Sequence, residues 1–295
     1  MKNFLLITGG AGFVGSNLIE HLIKNTNKKI ISLDNYSTGS KKNHINSKNI
    51  KYLKGDTKNI KKILNRYRKK IHSIFHFGEF SRIYQSFHKF DMCYDSNAVG
   101  TKEVFKFCLE NNIKLIYSAT SASLGNFGKD KHLSPYAFTK SKNLELLENL
   151  KKWFKLKFEV IYFYNVYGPR QIMDGDMASV IGIFEHLYKR KKPLTVVRPG
   201  TQTRRFTHIS DTIETCFKAW KDNKCKHYSI TNKQKYSILQ VARMFNRNIT
   251  YLKARKGERY ASALTKTYQN NHIIQKYGKI KLKDYISSFI KSTKL

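Results

Sequence analysis

The sequence predicts an α/β fold in which a doubly wound parallel sheet carries helices on both faces, followed by a smaller C-terminal α/β lobe. Helical and strand-like patterns alternate through the N-terminal half, and the strand-like runs are short and strongly apolar. Such alternation is typical of βαβ units, which build a parallel sheet covered by helices. The regular pattern weakens after Gly168-Pro169. We therefore expect one domain over residues 1–167 and a smaller lobe over residues 168–295, with the chain crossing between them.

The apolar periodicity predicts where the individual elements lie. Strands are predicted near residues 3–8, 29–33, 50–53, 72–77, 113–117 and 158–163. Helices are predicted over residues 13–25, 58–69, 97–110, 135–154, 177–190, 210–221 and 237–246, with a short amphipathic helix in 279–295. The helix at 135–154 has the clearest start, because Ser134 is a good N-cap and Pro135 suits the first helical turn.

A glycine-rich turn joins the first strand-like run to the first predicted helix. In this turn, Gly9, Gly12 and Gly15 lack the Cβ atoms that would block a pyrophosphate or the following helix. The helix that follows directs its N-terminal N–H groups at the phosphates. The second run ends at Asp34, nineteen positions after Gly15, where a carboxylate can accept both ribose hydroxyls of an adenosine. The pattern predicts a Rossmann-type dinucleotide site that prefers NAD over NADP, whose extra phosphate the carboxylate would repel.

The composition is that of a globular protein without a membrane segment. The chain has 295 residues, of which 40% are hydrophobic, and no apolar run approaches the ~18 residues that a membrane helix needs. The N-terminus has no basic region before a long apolar run, so we expect a cytoplasmic protein. The scattered cysteines Cys93, Cys108, Cys216 and Cys225 have no metal-binding spacing, so we expect free thiols and no metal site.

The chain is strongly basic, with 56 Lys+Arg against 20 Asp+Glu and a formal net charge of +36. Such a field attracts nucleic acid and anionic surfaces, and it also steers a diphosphate substrate toward a cleft. The lysines are spread over nearly the whole sequence rather than grouped on one helix with interleaved aromatic residues. This distribution favours a compositional bias, and we expect no nucleic-acid partner.

A tyrosine and a lysine stand four residues apart in the predicted helix at 135–154. Tyr136 and Lys140 share one face of that helix, and a lysine ammonium lowers the pKa of a nearby phenol. Such a phenol is a usable base near neutral pH. The preceding strand runs into a hydroxyl-rich turn that contains Thr120, at the end of a parallel strand where ligands bind. Together the two segments indicate a proton-transfer site beside the dinucleotide.

Several motifs spread over nearly the whole chain follow the order and spacing of one known family. They are TGGAGFVG at residues 8–15, the run Asp34 to Gly39, Gly55-Asp56, Asn97 in Asn-Ala-Val-Gly-Thr, the Tyr136/Lys140 pair, and the run Tyr164 to Arg170. With them the sequence resembles the extended short-chain dehydrogenases/reductases, in particular the NAD-dependent nucleotide-sugar epimerases and dehydratases. The resemblance implies bound NAD, a nucleotide-sugar substrate, a homodimer formed through two helices, and a place in carbohydrate metabolism such as polysaccharide biosynthesis.

The resemblance also implies roles for single residues. Tyr136, Lys140 and Thr120 are the implied catalytic residues. The implied NAD contacts are Gly9, Gly12, Phe13, Val14, Gly15, Asp34, Asn35, Ser37, Thr38, Asp56, Thr57, Phe77, Gly78, Asn97, Ser118, Tyr136, Lys140, Tyr164 and Val166. The implied substrate contacts are Ser81, Thr120, Ser121, Asn165, Arg204, Arg255, Glu258 and Ser262. In this last group Arg255 would bind the diphosphate, Glu258 a nucleoside hydroxyl, and Ser262 would border the sugar pocket.

The activity that the resemblance implies is epimerisation at C4 of a UDP-hexose. Tyr136 would remove the hydroxyl proton while a hydride passes from C4 to NAD, and the flat 4-keto sugar would take the hydride back on its other face. A 4,6-dehydratase, a decarboxylase and an epimerase acting at another carbon are alternatives of the same class. A non-catalytic NAD-binding regulator or nucleic-acid-binding protein is an alternative of another class.

Three departures from the family pattern bear on this choice. The segment Phe75 to Phe80 replaces the usual His-x-Ala-Ala and introduces Glu79, and Arg204-Arg205 replaces Arg-Asp. Dehydratases of the family place Asp-Glu directly after the catalytic threonine, and decarboxylases carry Glu at the position of Ala122, whereas here Ser121-Ala122 follows Thr120. The missing carboxylates favour an epimerase. If the protein were a dehydratase or a decarboxylase, Glu79 would have to replace these missing carboxylates.

Overall fold

A parallel sheet of eight strands lies at the centre of the computed structural model, which describes residues 2–124, 130–254 and 273–294. The strands in chain order are β1 (Phe4–Thr8), β2 (Lys29–Asp34), β3 (Ile50–Lys54), β4 (Ile71–His76), β5 (Lys114–Thr120), β6 (Phe158–Phe163), β7 (Val166–Tyr167), β8 (Leu194–Val197), β9 (Thr203–Arg205), β10 (Thr207–His208), β11 (His227–Thr231), β12 (Lys235–Ser237), β13 (Ile249–Leu252) and β14 (Ile273–Tyr277). The order across the large sheet is β14-β11-β6-β5-β4-β1-β2-β3, with parallel pairing throughout. The order reverses between β1 and β4, and ligands bind at the carboxyl ends of strands at such a point.

Helices cover both faces of this sheet. They are α1 (Phe13–Asn25), α2 (Ile60–Leu64), α3 (Gln85–His88), α4 (Phe90–Tyr94), α5 (Thr101–Glu110), α6 (Pro135–Phe154), α7 (Val180–Lys189), α8 (Ile209–Asp222), α9 (Ile238–Met244) and α10 (Leu282–Lys294). In β1, Leu5 and Ile7 pack in a cluster with α1 and α8, whereas Leu6 packs in the opposite cluster with α5 and α6. This alternation follows from the two-residue period of a strand, so a continuous apolar run is buried on both faces.

The predicted fold class is confirmed, and the longest predicted elements agree closely with the structure. The bounds predicted for α1, α6 and β6 are those observed. Ser134 caps α6, since its Oγ accepts a hydrogen bond from the N–H of Ala137 at 3.1 Å, and Pro135 occupies the first turn. One helix was predicted over residues 97–110. In the structure a π-helical segment spans Asp95–Gly100, and the regular helix α5 begins after it, at Thr101.

The C-terminal part of the chain builds a small second core and also returns to the large sheet. Strand pairs β7·β10, β8·β13 and β9·β12 lie outside the large sheet, and α7, α9 and α10 contribute to the core that packs beside them. In contrast, β11 and β14 extend the large sheet beyond β6. Within the described ranges, no helix has both the length and the apolar character that crossing a membrane requires.

A buried carboxylate joins this returning segment to the N-terminal strands. Glu159 on β6 is fully buried, and its Oε1 accepts hydrogen bonds from Lys114 Nζ and from the N–H of Cys225, both at 2.9 Å. Its Oε2 accepts the N–H of Lys226 at 2.7 Å. Because β11 begins at His227, these bonds hold the chain in register as it enters the sheet beside β6.

Replacing this carboxylate tests that role. Glu159→Ala is expected to lower the free energy of unfolding by about 3 kcal/mol, because it leaves Lys114 nearly buried without its charge partner. Urea unfolding followed by circular dichroism measures the loss. Glu145→Ala is the control, since it removes a carboxylate from an exposed ion pair with Lys142, and we expect it to cost less than about 1 kcal/mol. Equal, small losses in the two variants would contradict the role of Glu159.

Candidate active site

The turn between β1 and α1 has the shape that a bound phosphate requires. Gly9 has a φ of +68°, and a Cβ on Gly15 would lie 2.2 Å from the carbonyl oxygen of Gly9. Neither position accepts a side chain without a change in the backbone. Gly12 is the N-cap of α1 and has no side chain to occupy the N–H groups of the first turn. Those N–H groups are therefore available to an anion.

Asp34 closes this turn from the end of β2. Its side chain is 7% exposed; Oδ2 accepts the N–H of Ala11 at 2.9 Å, and Oδ1 accepts the N–H of Tyr36 at 2.8 Å. Burial raises the pKa of the carboxyl, and these backbone hydrogen bonds act in the opposite direction. Each carboxylate oxygen retains a further lone pair for a ribose hydroxyl. The predicted ribose acceptor therefore also holds the glycine-rich turn in place.

Other predicted NAD contacts lie at the same edge of the sheet. Beyond β2 and β3, the amide of Asn35 donates to Asp56 at 3.0 Å and accepts the N–H of Ser37 at 3.0 Å. Beyond β4, the N–H groups of Phe77 and Gly78 lie 3.2 and 3.1 Å from Thr8 Oγ1. The open helix start, the glycine-rich turn and the acid of β2 thus surround one crevice. These residues fit an NAD molecule.

Two further residues predicted as NAD contacts, Asn97 and Tyr164, are buried and form hydrogen bonds within the protein. Asn97 is fully buried; its Oδ1 accepts the N–H of Phe80 at 2.7 Å, and its Nδ2 donates to the carbonyl of Phe80 at 3.0 Å. Tyr164 is 1% exposed, and its hydroxyl accepts a hydrogen bond from Ser229 at 3.3 Å. Asn97 therefore fixes the segment after β4, and Tyr164 joins β6 to β11.

The three predicted catalytic residues are buried next to this crevice. Tyr136 and Lys140 lie near the start of α6, where they are 8% and 4% exposed, and Thr120 ends β5 with 8% exposed. Tyr136 packs in one cluster with Ala122, which belongs to the turn after β5. The N–H of Tyr136 also donates to Ser86 Oγ at 3.3 Å. The capped start of α6 thus holds the phenol beside the carboxyl ends of β4 and β5.

Lys140 forms a buried ion pair with Glu79, which lies just after β4. The Glu79 side chain is only 2% exposed. Its Oε1 accepts hydrogen bonds from Thr101 and Tyr117 at 3.0 Å and from the amide of Asn143 at 3.3 Å. We call Glu79, Lys140, Thr101, Tyr117 and Asn143 the Glu79 cluster. It gives Glu79 a cation and hydroxyl partners inside the protein, which the sequence pattern did not predict.

The charges in and around this cluster follow from its burial. Burial lowers the pKa of the Lys140 ammonium, and the Glu79 carboxylate opposes that effect. Burial raises the pKa of Tyr117 well above its usual value, so its hydroxyl stays protonated. His76, which lies between the hydroxyls of Thr8 and Thr101, has its pKa lowered by burial to about 4 and is neutral. The Glu79 cluster therefore holds one positive and one negative charge.

Arg82 is a functional candidate that the sequence interpretation missed. Its Nε donates to the carbonyl of Met177 at 2.8 Å, and one terminal nitrogen donates to the carbonyl of Ser81 at 2.9 Å. Met177 packs against the apolar cluster that contains Tyr136. Burial lowers the pKa of Arg82, whereas an electrostatic interaction with the Tyr136 phenol raises it. The sequence feature that could have indicated Arg82 is its place just after the segment Phe75 to Phe80, which departs from the family pattern.

The predicted substrate residues are only partly accounted for. Ser81 is exposed and Ser121 is buried beside Thr120. The amide of Asn165 donates to the carbonyl of Arg205 at 2.8 Å, which connects the segment after β6 to β9. Arg204 on β9 is 8% exposed. The remaining three, Arg255, Glu258 and Ser262, lie outside the described residues.

Residues 5–232 match the NAD dependent epimerase/dehydratase family, so the chain belongs to this family. Membership confirms NAD as the cofactor and also confirms the family resemblance found in the motifs.

The chain is similar to enzymes of more than one activity. It is 27% identical over 278 residues to a putative UDP-glucose 4-epimerase of Methanocaldococcus jannaschii, covering 87% of this chain and 88% of that protein. It is 28% identical over 259 residues to UDP-N-acetyl-alpha-D-glucosaminuronate decarboxylase of Bacillus cytotoxicus, covering 82% and 79%. Its fold matches the crystal structure of Thermus thermophilus UDP-glucose 4-epimerase in complex with NAD, with a TM-score of 0.83 at 19% identity over 99% of each chain.

The buried carboxylate of β2 gives a test of cofactor binding. Asp34→Ala is expected to weaken NAD binding about tenfold or more, because it removes charged hydrogen bonds, and to reduce the preference for NAD over NADP. Calorimetric titration with both dinucleotides measures this. Asp34→Asn separates the loss of charge from the loss of the contact with Ala11, and Asp91→Ala on the exposed face of α4 is the control. Tighter binding of NADP than of NAD by the native protein would contradict the prediction.

Proposed function

We propose that this protein is a nucleotide-sugar 4-epimerase that acts on a UDP-hexose with NAD as its cofactor. The observation that carries the proposal is the buried Tyr136 phenol at the start of α6, beside Thr120 and the NAD crevice, in a turn without a carboxylate after Thr120. The similarity to a putative UDP-glucose 4-epimerase supports the same activity. The basic character of the chain suits a diphosphate substrate.

In this proposal the chain's own residues move a proton at the O4 hydroxyl of the sugar. Tyr136 accepts the proton and later returns it, and Thr120 donates a hydrogen bond to the same oxygen. Bound NAD supplies a hydride acceptor that also returns the hydride. The 4-keto sugar turns over between the two transfers, so the hydride reaches the opposite face of C4. No proton has to move at C5 and no bond to C6 has to break.

The place of Glu79 supports epimerisation over dehydration and decarboxylation. Elimination of water needs an acid and a base at C5 and C6, and Glu79 was the carboxylate that would have to replace the residues missing after Thr120. In the structure its side chain is 2% exposed and paired with Lys140. Its Oε1 also accepts hydrogen bonds from Thr101, Tyr117 and Asn143. A carboxylate that is buried and paired in this way is not available as an acid or base at C5 or C6 of the sugar.

The proposed assembly is a homodimer formed through α4 and α6. These neighbouring helices expose Phe90, Met92, Tyr94 and Phe138, each of which is at least 40% exposed. A group of exposed apolar side chains on adjacent helices suits a protein surface as partner, and a two-fold pairing would cover both copies of the group.

A non-catalytic regulator would need the glycine-rich turn but not the buried Tyr136/Lys140 pair, so we favour the enzyme.

The role of Tyr136 as the base gives a direct prediction. Tyr136→Phe is expected to lower kcat by about 10²-fold or more, because the proton acceptor is lost, while NAD binding is retained. Steady-state kinetics with UDP-hexoses and NAD titration measure the two effects. Tyr251→Phe changes an exposed tyrosine on β13, outside the proposed dimer surface, and is the control. Near-normal turnover by Tyr136→Phe would refute the role of Tyr136.

The product distinguishes the proposed reaction from its alternatives. Incubation with UDP-glucose and with UDP-N-acetylglucosamine, analysed by NMR and mass spectrometry, is expected to yield a 4-epimer of unchanged mass. A product lighter by one water from any sugar nucleotide would identify a dehydratase. A product lighter by carbon dioxide from a UDP-hexuronate would identify a decarboxylase, and either result would overturn the epimerase proposal.

A further inference from the structure

The charged groups near Tyr136 come from several elements, and few of them carry a charge at neutral pH. Lys140 lies on α6, Glu79 and Arg82 follow β4, Tyr117 lies on β5 and Cys93 lies on α4. Burial raises the pKa of Cys93 to about 11, and both Cys93 and Tyr117 are neutral. His88 on α3 and Asp91 on α4 are exposed to solvent, which screens them. Among the described residues named here, three charges remain: those of Lys140, Glu79 and Arg82.

Two of these three charges offset each other. Lys140 and Glu79 form an ion pair in which both side chains are at most 5% exposed. At a distance longer than their separation, such a pair acts as a dipole, and its effect on a neighbouring phenol is much smaller than that of a single cation. The expectation that Lys140 alone stabilises a Tyr136 phenolate did not include this buried carboxylate.

Of the three charged groups, Arg82 has no carboxylate partner among the described residues. Its described hydrogen bonds go to the carbonyls of Met177 and Ser81 and to the Ser81 hydroxyl, all of which are neutral acceptors. Within the described ranges, the ion pairs do not include Arg82. The bond from Nε to Met177 fixes the guanidinium next to the cluster in which Tyr136 packs. A guanidinium is always charged, so Arg82 places a full positive charge beside the cluster that contains Tyr136.

We propose that Arg82 supplies the positive charge that stabilises the Tyr136 phenolate, while Glu79 neutralises Lys140 and holds it in place. Arg82 acts through Tyr136 and is a positioning residue. This inference rests on the proposed function, in which Tyr136 is the base. It predicts that loss of the Arg82 charge raises the pH at which Tyr136 ionises, whereas removal of the neutral Glu79–Lys140 pair as a whole changes that pH little.

The experiment is a titration of the Tyr136 phenol in the NAD-bound protein by ultraviolet difference absorbance. Each variant is compared with the same variant carrying Tyr136→Phe, so that the signal of the other tyrosines cancels. Arg82→Gln is expected to raise the apparent pKa of Tyr136 by about one unit or more. The double variant Glu79→Gln with Lys140→Met is expected to change it by less than about half a unit. Arg82→Lys keeps the charge, so the apparent pKa of Tyr136 is expected to stay close to its value in the native protein.

Matched controls and kinetics complete the test. Arg190→Gln removes an exposed arginine at the end of α7 and is expected to leave the titration unchanged. Where turnover is measured, Arg82→Gln should lower kcat/KM at neutral pH about tenfold and recover at higher pH, with unchanged NAD affinity. Thermal unfolding shows whether each variant is folded, and Arg82→Met, which also removes the charge, carries the test if Arg82→Gln does not fold.

Two results would overturn the inference. One is an Arg82→Gln titration identical to that of the native protein. The other is a larger shift in the double variant than in Arg82→Gln, which would give the main role to Lys140. Because the titration needs no turnover, it decides the role of Arg82 even if no sugar nucleotide is epimerised; that separate result would count against the proposed function alone.

Discussion

The buried ion pair between Glu79 and Lys140 is the interaction on which the arrangement of this site depends. Burying two charges has a high desolvation cost, which is offset only when further hydrogen bonds satisfy both groups. Here Tyr117, Thr101 and Asn143 bond to the carboxylate, and the carbonyl of Ser118 accepts from Lys140 at 2.5 Å. The pair therefore connects the segment after β4 to β5, α5 and α6. It fixes Lys140 on the face of α6 that also carries Tyr136.

The sheet topology explains why these groups meet. Parallel strands place all their carboxyl ends at one edge, and the reversal between β1 and β4 opens a crevice there. The glycine-rich turn after β1 and Gly78 after β4 contact each other closely, since a Cβ on Gly9 would lie 2.9 Å from the Gly78 backbone. The same edge receives Asp34 from β2 and Thr120 from β5. The NAD crevice and the residues proposed for proton transfer thus occupy neighbouring positions at this edge.

The sequence predicted the parts of this structure that depend on local pattern. Apolar period and capping residues were enough for α1 and α6, and the glycine spacing was enough for the NAD crevice. The partners of Glu79 were not predictable, because Tyr117, Thr101 and Asn143 come from three elements that meet only in the folded chain. The hydrogen bonds of Asn97 to the Phe80 backbone and of Tyr164 to Ser229 join segments that are distant in the sequence, so they were not predictable either. The pairing of β11 and β14 with the large sheet depends on long-range contacts, which periodicity does not report.

The most direct test of the proposed epimerisation follows the hydrogen at C4. A UDP-hexose that carries deuterium at C4 is incubated with the protein, and the product is analysed by NMR and mass spectrometry. We expect a 4-epimer of unchanged mass with the deuterium still at C4, because the hydride returns to the carbon that released it. Deuterium found at C6 would contradict the account, and so would its loss to solvent or a loss of mass equal to water or carbon dioxide.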